Sequence, residues 1–228
     1  IDKYWELISK REMRILLQQL TGVQEFMGLK FYVNEHGLIA RQDTETLVEL
    51  ILNEHKEKNI SLLDVCNGSG CIAVSLAKLG GYADVTALDL SEEALKVAKS
   101  NGEKLLDQPV KFIKSDMFSA LNPEKQYNVI VSNPPYIPSQ VIEGLEPEVK
   151  DHEPRMALDG EPDGLKFYRI LAEEGKKYLK NGGEIYMEIG WDQAKDVTEI
   201  FEAMGFSGLR TVRDMAGNDR VVCARKEK

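Results

Sequence analysis

Cysteine is scarce in this chain: Cys66, Cys71 and Cys223 are the three in 228 residues. An odd, sparse set argues against a disulfide framework and points to a reducing, cytoplasmic setting. No CxxC pair stands beside a second pair or a histidine cluster, so no metal site is expected. His36, His55 and His152 are scattered, and each reads as a surface residue rather than a ligand. Positive charge is in deficit, with 29 Lys and Arg against 38 Asp and Glu and a net charge of -9. An acidic chain grips phosphate backbones poorly, so no direct nucleic-acid partner is expected. No apolar run reaches the roughly 20 residues of a membrane helix, and no signal peptide is visible, so no membrane partner is expected either. Internal repeats and low-complexity tracts are also missing. The chain starts at Ile1 rather than Met, and we expect a piece of a longer protein.

What is there suits one good-sized α/β domain with a small appendage: 43% of the residues are hydrophobic and 29% charged. Residues 3–19 carry Trp5, Ile8, Ile15 and Leu16 among charges, the pattern of an amphipathic helix, stopped by Thr21-Gly22. Residues 25–33 read as a strand and residues 38–40 as its returning partner across "NEHG", ending near Arg41. From Asp43 onward strands and helices alternate. Helices are expected at 44–57, 71–78, 91–104, 165–179 and 193–204, and strands at 61–65, 84–89, 110–116, 127–133 and 184–190. Asn181-Gly182-Gly183 reads as a helix stop. This order predicts a doubly wound, mostly parallel Rossmann-like sheet. Two closing strands with no helix between them predict an antiparallel hairpin at one edge. The expected division is 1–42 for the appendage and 43–228 for the domain.

The first strand of that sheet runs straight into glycines, in "LLDVCNGSGCIAVSLA". Gly68 and Gly70 permit a tight turn and a close approach to a ligand. The spacing to Ala73 fits a dinucleotide fingerprint, and it also fits a plain glycine-rich turn. Asp89 favours the former, because it ends the second strand about 20 residues on, where a carboxylate reaches ribose hydroxyls. Asp64 either fixes the loop or faces the amino-acid portion of a cofactor. Asp116 either accepts from an adenine amino group or caps the helix before "MFSAL". NAD and S-adenosyl-L-methionine both suit this topology.

The fourth strand decides between them. It ends in "VSNPPYIP", with no histidine or lysine for hydride chemistry. It presents Asn133, Pro134, Pro135 and Tyr136 instead. An amide or exocyclic amine nitrogen is a poor nucleophile because its lone pair is delocalised. The Asn133 side-chain oxygen and the Pro134 carbonyl can hold its two N–H groups and aim that lone pair at an electrophile. The prolines lock this geometry in advance, and Tyr136 offers a flat wall. The electrophile would be a sulfonium methyl, and no strong general base is required.

"NPPY" is the signature of amino-group S-adenosylmethionine methyltransferases. Several further stretches make the chain resemble one branch, the HemK/PrmC family of protein-(glutamine-N5) methyltransferases acting on peptide chain release factors. They are "LTGVQEFMGLKFYV", "LIARQDTETLVE", "EPRMALDGEPDGLKFYR", "LKNGGEIYMEIGWDQ" and "DMAGNDRVV". The resemblance spans nearly the whole chain. It implies a class I methyltransferase fold, S-adenosyl-L-methionine as cofactor, and the glutamine of a release factor's Gly-Gly-Gln loop as substrate. It implies that Asn133, Pro134 and Tyr136 are catalytic and that Pro135 joins them in binding substrate. Cys66, Asn67, Gly68, Ser69, Gly70, Asp89, Asp116, Met117 and Asn133 would hold the cofactor. It also implies that residues 1–42 are the end of a helical substrate-gripping domain and its hairpin. The chain departs from the family pattern at Ala40 and Gln42 (prolines), Cys66-Asn67 (Gly-Thr), Met117 (an aromatic in some members) and Glu161 (glycine). The alternatives are a ribosomal-protein glutamine, an N6-adenine or N4-cytosine of nucleic acid flipped into the same cradle, an NAD oxidoreductase, or a non-catalytic nucleoside binder.

Overall fold

The computed structural model describes residues 1–227. Two helices, α1 (Asp2–Glu12) and α2 (Leu17–Thr21), lead into a hairpin of β1 (Val23–Phe26) and β2 (Leu29–Tyr32). There follow α3 (Glu45–Glu54), β3 (Ser61–Val65), α4 (Cys71–Gly80), β4 (Asp84–Asp89), α5 (Glu92–Leu105), β5 (Lys111–Lys114) and β6 (Tyr127–Ser132). The short helices α6 (Ser139–Ile142) and α7 (Pro147–Lys150) precede α8 (Lys166–Tyr178), β7 (Leu179–Glu188), α9 (Ala194–Ala203), β8 (Phe206–Arg213) and β9 (Asp219–Lys226).

Seven strands form one sheet in the order β5-β4-β3-β6-β7-β9-β8. The five from β5 to β7 run parallel, and β9 runs antiparallel to both of its neighbours. Every residue of β3 is buried, as a strand covered on both faces must be. Alternate residues feed opposite layers. Leu62 joins Leu47, Ile51, Ile72 and Leu76 on one face, while Leu63 joins Leu171, Val197 and Phe201 on the other. The chain winds outward from β3 through β4 to β5, then returns to place β6 on the other side of β3. That reversal opens a crevice at the carboxyl ends of β3 and β6, where ligands of doubly wound sheets bind. Ser91 caps α5 by accepting the Ala94 N–H at 3.2 Å, with Glu92 and Glu93 in the first turn.

The structure departs from the sequence expectations in four places. The helix expected over 3–19 breaks, with Arg14 at φ 66. Leu16 leaves the helix to be buried with Val33 and Ile39, and Arg11 reaches Glu148 at 2.6 Å. The single strand expected over 25–33 is itself a hairpin, and 38–40 forms no strand. Met27 and Gly28 turn it with φ 52 and 71, and the Met27 N–H donates to Glu45 Oε1 at 2.5 Å. Methionine is not a turn signal; the carboxylate from α3 holds it there. Asn181-Gly182-Gly183 lies inside β7. Leu179 pairs with Tyr127 and Glu184 with Val129, so the glycines form a bulge, and a Cβ on Gly183 would stand 3.0 Å from the Asn128 carbonyl. His55 is not a surface residue: its side chain is 17% exposed and its Nε2 lies 2.9 Å from the Tyr186 hydroxyl.

Candidate active site

The loop after β3 follows from where its backbone must go. Cys66, Gly68 and Gly70 all take positive φ, at 64, 58 and 86. Gly70 is needed for packing: an added Cβ would lie 3.0 Å from Ala98 Cβ on α5. At Gly68 a Cβ would meet nothing within 4 Å. The two expected glycines thus have different work, one against a helix and one toward open space. Asp89 pins the loop. Its Oδ2 accepts the Gly68 N–H at 2.7 Å and its Oδ1 accepts the Ser91 N–H at 2.8 Å. Burial pushes the Asp89 carboxyl up, and these backbone donors oppose it. Asp64 holds the start of α4, through the Ala73 N–H at 3.1 Å, and its Oδ1 is buried without a partner, as are Asn67 Oδ1 and Ser69 Oγ.

The turn opens onto a crevice with about 970 Å³ of atom-free space, counting solvent at its mouth. Cys66, Asn67, Gly68, Ser69, Asp89, Asp116, Met117, Asn133 and Pro135 all face it. Gly70, Pro134 and Tyr136 do not line it. Asp116 is exposed, and Met117 is buried at φ 46. His36, Leu38, Thr44 and Phe167 also face the crevice; Leu38, Thr44 and Phe167 lie in stretches that resemble the family, and no signal marks His36. Burial, reinforced by the Asp89 and Asp64 carboxylates, pushes the Cys66 thiol up. Burial and Asp64 push Cys71 up to about 12. Both thiols stay neutral and are not nucleophiles.

The turn after β6 is held from behind. The Ile137 N–H donates to the Leu158 carbonyl at 3.0 Å, and the Gly160 N–H to the Ile137 carbonyl at 2.9 Å. Gln193 Nε2 donates to the Tyr136 carbonyl at 3.0 Å. Gly164, at φ 73, is packed so closely that a Cβ would stand 2.4 Å from that carbonyl. Among the described residues no donor occupies the Pro134 carbonyl. Asn133 Nδ2 donates to the Thr44 hydroxyl at 3.4 Å, which leaves Oδ1 as the free end of the amide. The Tyr136 hydroxyl donates to Glu188 Oε1 at 3.3 Å. Tyr136 is therefore tied to the sheet by its hydroxyl as well as its backbone. Burial pushes the Glu188 carboxyl up; the Thr44 hydroxyl, the Arg220 guanidinium and the Tyr136 hydroxyl work against that. Arg220 spans Asp214 at 3.1 Å and Asp43 at 3.3 Å. Glu153, buried, clamps the preceding loop through the Ile39 N–H at 2.9 Å and Arg41 at 2.5 Å. Four separated sequence stretches, 39–44, 153–164, 188–193 and 214–220, thus converge behind four residues.

The methyltransferase small domain model matches residues 32–144. The release factor glutamine methyltransferase of Clostridium botulinum is 40% identical over 228 residues, covering 99% of this chain and 81% of that one. The chain belongs to the release factor glutamine methyltransferase family. The Fusobacterium nucleatum member is 42% identical over 225 residues, covering 96% of this chain; the chain spans 62% of that relative's length. The solved release-factor-specific protein-(glutamine-N5) methyltransferase of Alicyclobacillus acidocaldarius superposes with a TM-score of 0.51 at 31% identity, covering 87% of this chain and all of that one. The fold is that of class I S-adenosylmethionine methyltransferases. The crevice fits this family's cofactor. Orphaned Asn67 Oδ1 and Ser69 Oγ offer hydrogen bonds to a polar ligand, and open space at Gly68 admits one against the backbone. Two family departures also gain a physical description. Cys66 and Glu161 replace glycines and both sit at positive φ, 64 and 71, where a side chain is strained. Among the described residues no helix is long and apolar enough to cross a membrane.

Proposed function

We propose that the chain transfers a methyl group from S-adenosylmethionine to the side-chain amide nitrogen (N5) of the glutamine in the Gly-Gly-Gln loop of a peptide chain release factor. The observation that carries this is the Asn133 amide. Its nitrogen is held by Thr44, its residue lines the crevice, and the Pro134 carbonyl one residue on accepts from no described donor. Two fixed acceptors match the two N–H groups of a primary amide and nothing else in its chemistry.

Asn67, Gly68, Ser69, Asp89, Asp116 and Met117 would hold the cofactor, with Asp89 offering its remaining lone pairs to ribose hydroxyls and Cys66 forming part of the wall. When bound, the cofactor supplies an electrophilic methyl on a sulfonium. Asn133 Oδ1 and the Pro134 carbonyl accept the two substrate N–H groups, so the nitrogen lone pair points away from both and into the crevice. Pro135 carries no N–H to compete for them. The Tyr136 ring backs the planar amide while its hydroxyl stays on Glu188. As the nitrogen gains its methyl it sheds one proton to solvent. With neutral thiols and no free base at the turn, positioning supplies the catalysis.

The division into 1–42 and 43–228 fits this function, with α1 and α2 burying no residue of their own and α1 meeting α7 through Arg11 and Glu148. A cytoplasmic setting fits the three free cysteines. The test is mass spectrometry of an unmethylated release factor after incubation with enzyme and isotopically labelled cofactor. The expected result is one labelled methyl on the Gly-Gly-Gln glutamine. Label in a ribosomal protein or in nucleic acid instead would reassign the substrate, and tighter calorimetric binding of NAD would reassign the cofactor.

A further inference from the structure

Asparagine suits a helix interior poorly, because its side chain competes for backbone partners outside the helix. It is also mostly a surface residue. Asn101 nevertheless stands inside α5 with 0% of its surface exposed. Its amide is fully engaged with two other segments. Oδ1 accepts the Tyr32 N–H at 2.8 Å, and Nδ2 donates to the Tyr32 carbonyl at 2.9 Å. The side chain thus pairs with β2 as a neighbouring strand would. The second proton of Nδ2 goes to the Ser69 carbonyl at 3.0 Å. These three contacts fix which way round the amide lies. Turned over, it would set its oxygen against two carbonyls and its NH2 against an N–H.

Ser69 belongs to the loop after β3, and its Oγ is buried without a partner. Gly37 packs on it from the appendage: a Cβ added there would lie 3.8 Å from the Ser69 backbone nitrogen. His36 and Leu38, on either side of Gly37, face the crevice together with Ser69, whereas Tyr32 and Asn101 do not line it. Tyr32 is only four residues before His36, so holding both of its backbone groups sets where that wall begins. One amide therefore places two walls, the Ser69 side directly and the His36–Leu38 side through Tyr32. Gly70, next to Ser69, rests on Ala98, which lies one turn before Asn101 on α5. The helix thus supports the loop at two adjacent points. We infer that Asn101 is a positioning residue for the cofactor, joining the hairpin to the loop after β3 so that the two sides of the crevice stand at the separation the ligand needs. It touches no ligand and acts through Ser69 and Tyr32. This rests on the proposed role of residues 67–69 in holding S-adenosylmethionine.

The experiment measures S-adenosylmethionine binding by calorimetry and single-turnover transfer to an unmethylated release factor at saturating cofactor, with thermal unfolding alongside. Asn101→Ala removes all three hydrogen bonds. It is expected to weaken cofactor binding about tenfold, the scale of one buried hydrogen bond. Transfer at saturating cofactor should stay within about twofold of the parent protein, because the reacting groups are untouched. Asn101→Asp keeps the shape and the Tyr32 N–H contact but turns a carboxylate on two carbonyls, and should bind cofactor no better than Asn101→Ala. Val197→Ala, a core truncation on α9 in the other layer, should lower the unfolding midpoint and leave affinity unchanged. Hydrogen exchange on the parent protein requires no variant to fold. Coupling is reciprocal, so saturating S-adenosylmethionine should slow exchange of the Tyr32 N–H several-fold, although Tyr32 lies outside the crevice. Parent-like affinity in Asn101→Ala, or Tyr32 exchange unmoved by cofactor, would overturn the inference, and a weakened Asp89→Ala would leave the proposed site standing. An equal loss of affinity in Val197→Ala, or a loss of saturated transfer as large as the loss of affinity, would overturn it too, because general destabilisation would then be responsible. Parent-like affinity in Asp89→Ala as well would remove the proposed cofactor site, and the inference with it.

Discussion

Two turns meet at the crevice, one after β3 and one after β6, on strands that pair directly. They solve one problem in opposite ways. The β3 turn needs conformational freedom: three of its residues take positive φ, and the N–H groups of Asn67, Gly68 and Gly70 are spent on Leu88, Asp89 and Asn67. The β6 turn needs restriction: two prolines remove donors and fix φ, and a carbonyl and an amide oxygen are what it presents. The first turn closes on its own backbone donors, whereas the second leaves the Pro134 carbonyl without one. Their supports differ accordingly. The first is pinned by one carboxylate, Asp89, and one amide, Asn101. The second is clamped by the 158–164 loop, Gln193, Thr44 and Glu188. A flexible loop requires tethers, whereas a rigid turn requires a fitted bed.

If that contrast is right, substitutions should separate stability from binding and from turnover. Gly164→Ala attacks the bed of the second turn. It combines a strained left-handed φ with a methyl 2.4 Å from the Tyr136 carbonyl. It should cost about 3 kcal/mol of stability in denaturant unfolding, the sum of an αL penalty and overpacking. Asn133→Ala leaves the bed intact and removes the acceptor. Single-turnover transfer should fall roughly a hundredfold or more, with cofactor affinity and unfolding midpoint near those of the parent protein. Asp89→Ala belongs to the first turn and should weaken cofactor binding by about 2 kcal/mol in calorimetry. A normal turnover at saturating cofactor would keep its role apart from that of Asn133. Gly68→Ala shares the left-handed φ of Gly164→Ala but meets open space, so its stability cost should stay near 1 kcal/mol. A stability loss equal to that of Gly164→Ala would erase the distinction between the two turns. The smallest change is a gain. Glu161→Gly relieves a side chain at φ 71 and gives up only an exposed ion pair with Lys166. It should stabilise the chain by about 0.5 kcal/mol once glycine's chain entropy is set against the strain.

Much of the framework was legible because it is local or periodic. Short buried runs such as Ser61–Val65 and Asp84–Asp89 appear where the apolar pattern places them. The Ser91 cap follows from its own side chain. The rigidity of the second turn could be read from four adjacent residues, since prolines carry their φ with them. The first turn was half legible. Glycines announced a tight loop, but Gly70 proved to serve the approach of α5 and only Gly68 the crevice. That difference depends on Ala98, far along the chain.

The sequence by itself determined the alternation of strands and helices, the glycine loop, the carboxylate that ends β4 and the rigid acceptor turn. Each of these rests on the conformational or hydrogen-bonding preferences of residues close together in the chain. Only the tertiary structure decided what surrounds them. A broken first helix, a hairpin turned at Met27 and a glycine bulge inside β7 all answer to distant partners: Glu148, Glu45 and the Asn128 carbonyl. The same holds for Thr44, Glu188 and Arg220, whose partners Asn133, Tyr136 and Asp43 lie far along the chain. A buried carboxylate can be ionised and useful only where folding brings it donors, and those donors come from opposite ends of the chain.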